Sequence, residues 1–437
     1  MTAVDPSVQT PPIRVLVLAD TDSRWKWGFL TAKQLFPAAT HTGLLLESAS
    51  VPSARQLADT GVTVQPDVVG GVPDFLELDD LDEVDALVLA LPGGAVQAVL
   101  HGLARRWPRA GHRPLVISGY VGVVYEKLAE GLLLRAGSDV ILANSATDAE
   151  EFRRLLDGTG ADPAVVLETV LPFLGEPDSA RPHDGPFTVT FAAQPGVPLT
   201  RAERELVLRR LFRHARLHPD REVLLKVRGA LGERSTHADY HPYQRLAAKL
   251  STQPPANFRI VQGNMGEVLQ RTDLLVTVSS TAAVEAMHRG IPTAILTDFG
   301  IKEVLGNHYF IGSGCLAGFA DLDDGLLPTV DSGWARSRGL GASDVVEQAR
   351  AALAARLPEQ VRPPLRPFYS MQNAPGMVPQ LLGRYDLDGH GHALETDDAL
   401  LADLPHAVRS LVARAPRTAY RQGVDTVAPT LRRLAGI

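Results

Sequence analysis

The chain has 437 residues, 45% hydrophobic and 21% charged, which is the composition of an ordinary globular protein and not of a disordered or fibrous one. A formal charge of −7 excludes the basic surface of a general nucleic-acid binder. The single cysteine, Cys315, excludes an intramolecular disulfide. With a polar, Pro-punctuated start and no apolar run approaching ~18 residues, it predicts a cytoplasmic protein.

The first predicted strand is IRVLVLAD (13–20), stopped by TDS, where Asp22 or Ser23 is placed to cap a helix. Apolar runs follow at 42–47, 85–91, 113–119, 138–144 and 164–170, with helical patterns at 93–107 and 146–157. Strands apolar on both faces that alternate with helices predict a parallel α/β sheet. GEPDSARPHDGP (175–186) carries no period and reads as a linker. The alternation then restarts, with strands at 187–193, 222–228, 258–263, 273–279 and 292–298 and helices at 201–216, 242–251, 265–271 and 280–289.

The predicted units are therefore 1–174 and 187–360, two Rossmann-like domains in tandem, followed by a helical extension over 361–437. Residues 300–342 are Gly-rich and irregular, and a helix is predicted over 343–356. The stretch 398–437 reads as helical and rich in Arg. It is expected to cross back to the first domain or, alternatively, to touch an anionic lipid surface.

The densest chemistry lies in LVTVSSTAAVEAMHRGIPTAIL (275–296), an apolar strand that meets three hydroxyls at a helix start. In an open parallel sheet, ligands bind beyond the carboxyl ends of the strands. Ser279, Ser280 and Thr281 can there converge hydroxyls and backbone N–H groups on an anion, although one of them alone would serve as a plain cap. Glu285 is spaced to reach the vicinal hydroxyls of a ribose.

In LLKVRG (224–229), Lys226 and Arg228 project from one side of a strand, facing either an anion or a structural acid. Gln194, before a Pro-Gly turn in FAAQPGVP, and Gly263, in VQGNMGE, offer close approach to main chain or merely turn it. His241-Pro242 reads as a helix start.

For the first domain, LADTDSRWKWG (18–28) offers Asp22, and secondarily Asp20, as a carboxylate able to take a proton from an attacking hydroxyl. Trp25 and Trp27 are candidate faces for sugar rings, and Arg24 and Lys26 could meet an anionic acceptor. The alternative is a helix cap with two surface tryptophans. The turns ALPGGA (90–95) and SGYVGVVYE (118–126) would line the same cleft, with Ser118 and Tyr120 as acceptor contacts. There is no Walker A run and no Cys/His cluster, and His390 and His392 lie in a probable loop, so no metal site is predicted.

Residues of about 187–298 resemble the donor-binding domain of bacterial GT-B enzymes of capsule and cell-surface polysaccharide synthesis. These are the sialyltransferases, polysialyltransferases and teichoic-acid glycerophosphotransferases; the whole chain resembles a group of actinobacterial glycosyltransferases. The resemblance implies two Rossmann-like domains facing across a cleft. It also implies a nucleotide-sugar used as substrate, with no separate cofactor, and a glycan or lipid-linked acceptor.

A Ser-Ser/Thr pair that holds the donor phosphate matches Ser279-Ser280-Thr281, and the acidic residue for ribose matches Glu285. A Lys-x-His-Pro element is matched only in part, by Lys226-Val227-Arg228-Gly229. Arg228 cannot act as an acid at neutral pH, but as a fixed cation it can offset charge on a leaving phosphate. The expected reaction is metal-independent, inverting sugar transfer, with a CMP-linked nonulosonic acid as donor. A GT-B nucleotide-sugar epimerase and a non-catalytic nucleotide-binding assembly protein are the alternatives.

Overall fold

The computed structural model describes residues 12–47, 51–123, 127–174, 185–229, 239–250, 252–359 and 361–394. The basic stretch 398–437 and residues 175–184 of the expected linker lie outside the described residues.

Each apolar run forms a parallel strand, and the central strands of both sheets are buried along nearly all their length. The first sheet comprises β1 (Arg14–Ala19), β2 (Thr40–Leu46), β3 (Asp67–Val69), β4 (Ala86–Ala90), β5 (Leu115–Ser118), β6 (Val140–Ala143) and β7 (Val166–Glu168), in the order β3-β2-β1-β4-β5-β6-β7. The second comprises β8 (Thr188–Ala192), β9 (Glu222–Lys226), β10 (Phe258–Val261), β11 (Leu274–Thr277), β12 (Thr293–Leu296) and β13 (Leu316–Ala317), in the order β10-β9-β8-β11-β12-β13. All pairings between these strands are parallel. Strand order reverses between β1 and β4 in one sheet and between β8 and β11 in the other. Those switch points are where an open α/β sheet leaves a crevice.

Helices cover both faces. The predicted ones form at Gly93–Arg106, Ala146–Gly158, Arg201–Leu217, Tyr243–Lys249, Met265–Leu269, Ala282–His288 and Ser343–Arg356. Thr200 caps Arg201–Leu217 in a capping box with Glu203, and Pro242 precedes Tyr243–Lys249, as expected of those turns. The helix Asp22–Leu35 is capped by Thr21, whose hydroxyl accepts from the Arg24 N–H, and not by Asp22 or Ser23.

The chain crosses back earlier than the predicted boundary. Helix Ser343–Arg356 packs on helix Asp22–Leu35, and its Ala349 and Leu353 join the core of the first unit. Residues 365–387 follow it there, through Leu365, Val378, Leu382 and Leu387. An apolar cluster of Val170, Leu171 and Leu174 with Leu275, Trp334 and Leu340 joins the two units.

One expectation is corrected outright. Trp25 and Trp27 are 0% and 1% exposed, in the core of the first unit. Helix Asp22–Leu35 is pressed between its sheet on one side and Ser343–Arg356 on the other. Neither ring is a sugar platform.

The contact between this helix and its sheet is closest at Gly28, where an added Cβ would lie 2.5 Å from Val17 Cγ1 and 3.0 Å from Ala90 Cβ. Val17 lies mid-strand with no exposed surface and no room to retreat. Gly28→Ala is expected to cost ~1–3 kcal/mol of stability by overpacking, read as a lower urea midpoint with an unchanged slope.

Candidate functional site

The carboxyl ends of β1, β8, β9 and β11 open onto a cavity of about 780 Å³ between the two units. The segment 21–26 and the Asp59–Thr60 turn form one wall, and Gln194–Val197, Lys226–Arg228 and Ser279–Ala282 the other. Its volume is in the range of small-molecule sites. Among the described residues, the walls approach each other at several places. Arg228 Nη2 donates to Asp22 Oδ1 at 2.7 Å and to Ser23 Oγ at 2.8 Å. Asn264 Nδ2 donates to the Asp59 carbonyl at 3.3 Å. A Cβ on Gly122 would lie 3.2 Å from Thr281 Oγ1.

The three hydroxyls divide their work. Ser279 is buried, and its Oγ donates to the Leu305 carbonyl at 2.5 Å. Its N–H donates to Gln194 Oε1 at 3.0 Å. Ser280 Oγ accepts from Ala282 N at 3.2 Å, the ordinary duty of a cap. Thr281 makes no capping bond with its side chain and lines the cavity. Gln194 thus clamps the end of β8 to the end of β11 across the switch point, and its amide is engaged by Ser279.

Of the two strand-end cations, Arg228 is answered by the acid on the opposite wall. Lys226 is 8% exposed, its Nζ donates to its neighbour's carbonyl at Val227 (2.8 Å), and among the described residues it forms no ion pair. Burial lowers its pKa to about 8; Asp59 pulls the other way, while Arg228, Lys26 and Arg55 push it further down. Burial also raises the Glu285 carboxyl, against the pull of Lys26 and Arg289. Arg289 holds Glu285 Oε1 at 2.8 Å and the Gly266 carbonyl at 3.2 Å. Gly263 lines the cavity at φ +99°, with open space where a side chain would stand.

The first unit contributes less than its sequence suggests. Asp22 and Arg24 reach the cavity, but Arg24 Nη1 is held by Asp20 at 2.9 and 3.2 Å. Asp20 itself does not line the cavity; burial raises its carboxyl, and Arg24 opposes that. Ser118 is fully buried and accepts from Ser138 Oγ at 3.0 Å. The Tyr120 ring is stacked under Arg135, 4.0 Å from its guanidinium carbon, and faces Phe152. Neither is an acceptor contact, because both side chains point into the packing of the first unit.

Of the two Gly-rich turns, SGYVGVVYE supplies Val121 and Gly122 to the cavity, while its residues 124–126 lie outside the described residues. ALPGGA is covered instead, with Leu381 and Tyr385 against Gly94. His392 and Asp388 close a local turn at the surface. Among the described residues, no group of three His, Cys, Asp or Glu side chains converges as a metal site.

Residues that sequence reasoning missed are Asp59, at the end of the short helix Ala54–Asp59, and the loop residues Phe173, Asn264 and the turn 303–306. Asn264 alone left a signal, as a capping residue ahead of a short helix; its Oδ1 accepts from Gly266 N at 2.8 Å.

The family described as "Putative glycosyltransferase (DUF6716)" matches residues 15–359, and the chain belongs to that family. No curated protein matches the sequence. Among solved structures, UDP-GlcNAc 2-epimerase from Methanocaldococcus jannaschii in complex with UDP-GlcNAc and UDP has a TM-score of 0.52 at 11% identity, covering 78% of this chain and 100% of its own. UDP-N-acetylglucosamine 2-epimerase from Rickettsia bellii has a TM-score of 0.50 at 11% identity, covering 79% and 97%. The glycosyltransferase SnogD from Streptomyces nogalater has a TM-score of 0.43 at 17% identity, covering 79% and 99%. The fold is GT-B, two parallel sheets facing across a cleft.

The charge state of Lys226 sets a measurable response. An anion beside it binds the protonated amine, so sulfate, which does not titrate in this range, should bind about tenfold more weakly at pH 9 than at pH 7, the loss running through pH 8. Lys226→Gln should flatten that profile. Lys226→Met should raise unfolding stability at pH 7 by ~1–3 kcal/mol, because the folded chain no longer buries a charge that the unfolded chain solvates. Thermal unfolding across pH with and without sulfate reads both effects.

Proposed function

We propose that this glycosyltransferase moves a sugar, with inversion and without a metal ion, from a nucleotide donor seated in the second unit to a hydroxyl presented at the first. One observation carries the reading: Lys226 and Arg228 stand on the donor wall of one interdomain cavity, and the Asp22 carboxylate faces them from the other wall. As the acceptor oxygen bonds to the anomeric carbon, the bond from that carbon to the phosphate oxygen breaks. The acceptor proton passes to Asp22. The electron pair leaves with the phosphate, where Lys226 and Arg228 offset its charge. Thr281 and the open backbone at Gly263 line the path of the nucleotide, and Glu285 meets its ribose.

The finer assignment rests on the sequence resemblance of residues 187–298: a CMP-linked nonulosonic acid as donor and a cell-surface glycan or glycolipid as acceptor. Thermal shifts with CMP, CDP, UDP and GDP test the donor; stabilisation by UDP alone would remove the sialyltransferase-like part. The 2-epimerases share this fold, and a sugar epimerised in the absence of any acceptor would replace transfer with epimerisation.

Asp22→Asn is expected to lower kcat by ~10²–10⁴ through loss of the base. Nucleotide affinity should stay close to that of the natural protein, since Asp22 belongs to the acceptor wall. A variant that loses nucleotide binding and turnover together would place Asp22 in the donor site instead. Steady-state kinetics paired with calorimetric titration separates the two.

A further inference from the structure

We infer that Lys26, on the helix of the first unit, is a phosphate-binding residue that completes from across the cleft the anion site begun by Lys226 and Arg228. The inference rests on the nucleotide-donor reading above and assigns Lys26 to the donor, where its sequence context suggests an acceptor contact.

Lys26 lines the cavity, and its Nζ stands 5.3 Å above the centre of the Phe173 ring, which lines the same cavity. Successive residues of this helix go different ways. Arg24 turns back to Asp20, Trp25 enters the core, and Lys26 enters the cavity over Phe173. There its charge acts on Lys226 and Glu285 together.

The ion pairs at the cavity point to the same place. Asp22 is held by Arg228, Asp59 by Arg55 at 2.6 Å, Glu285 by Arg289, and Arg24 by Asp20. Among the described residues, Lys26 and Lys226 are the cavity cations with no ion pair. Two half-buried or buried amines line one cavity and repel each other, and three of its four acids, Asp22, Asp59 and Glu285, are already matched to arginines, so an anion between the amines would answer both.

A mono- or diphosphate supplies that charge and accepts from both amines. Binding it at amines of both units makes a filled donor site a bridge between them.

The test uses the full chain. Calorimetry follows whichever of CMP, CDP, UDP and GDP stabilises the natural protein most, alongside its parent nucleoside and inorganic pyrophosphate. In Lys26→Gln, nucleotide and pyrophosphate affinity should fall at least about tenfold while the nucleoside is unaffected, as expected for a lost charge-assisted bond. Lys26→Arg should retain binding within a few-fold. Unchanged nucleotide and pyrophosphate affinity in Lys26→Gln overturns the inference, as does a loss that extends equally to the nucleoside. If pyrophosphate binds and depends on Lys26 while no nucleotide binds, the anion site stands and the donor reading falls. If the natural protein binds neither, both fall.

Discussion

The geometry of the cavity depends on one guanidinium. Arg228, at the end of β9, reaches across the cleft to Asp22 and Ser23 at the start of the first unit's helix. Each unit has its own sheet and core, and an apolar cluster around Trp334 and Leu340 holds them together away from the cavity. The Arg228 bond adds register more than strength. Its side chains are 30% and 20% exposed, and an ion pair with that access to water is worth ~0–1 kcal/mol. An interaction of that size fixes which residues face each other and still yields when a fully charged ligand enters. A buried apolar contact of several kcal/mol would do the first and prevent the second.

Three adjacent hydroxyls at a strand end have an answer in the accounting of backbone groups. A strand that ends inside a protein and turns at once into a helix leaves carbonyls and N–H groups without ladder partners. Ser279 answers for the distant Leu305 carbonyl and ties in Gln194; Ser280 answers for the helix start. All three line the cavity, and Thr281 does so without a side-chain capping bond. The helix that follows, Ala282–His288, has only seven residues, so side-chain cations and not a long macrodipole must dominate the field at the cavity. On the proposed reading, most of the phosphate chemistry that the motif suggested passes to lysines on other elements.

Period and polarity made the strands legible. All eleven runs read from the sequence became parallel strands, because strands in the middle of a covered parallel sheet must be apolar throughout. The two that went unread, β3 and β13, have three and two residues at sheet edges, too short to carry a pattern. The tryptophans misled for a physical reason. Trp25 and Trp27 point to different sides of their helix, which for a helix packed on one face would expose one of them. Both rings instead reach the sheet, Trp25 against Gly43 on β2 and Trp27 against Gly119 just past β5, and no local pattern announces the glycines that make room for them. Cavity residues from loops, such as Phe173 and the 303–306 turn, were hidden because loops have no period to break. Asp20 and Asp22, equivalent in the sequence, are separated only by direction: one pairs with Arg24 behind the wall, the other faces the cleft.

A buried lysine with no ion pair among the described residues is a poor choice for stability, and that is what makes Lys226 informative. Its surroundings hold three further positive groups that act on it and one acid. Selection for stability alone would replace it with methionine or leucine, which fill the same space without the desolvation cost. A positive group held in that position before any ligand arrives needs no reorganisation when negative charge develops beside it, and preorganised charge of this kind is the strongest lever an enzyme has on a departing anion. The same arithmetic accounts for the arginines. Because Arg55, Arg289 and Arg228 neutralise three of the four acids that line the cavity, those three would repel an entering phosphate little, and the lysines contribute most of the attraction on the proposed reading.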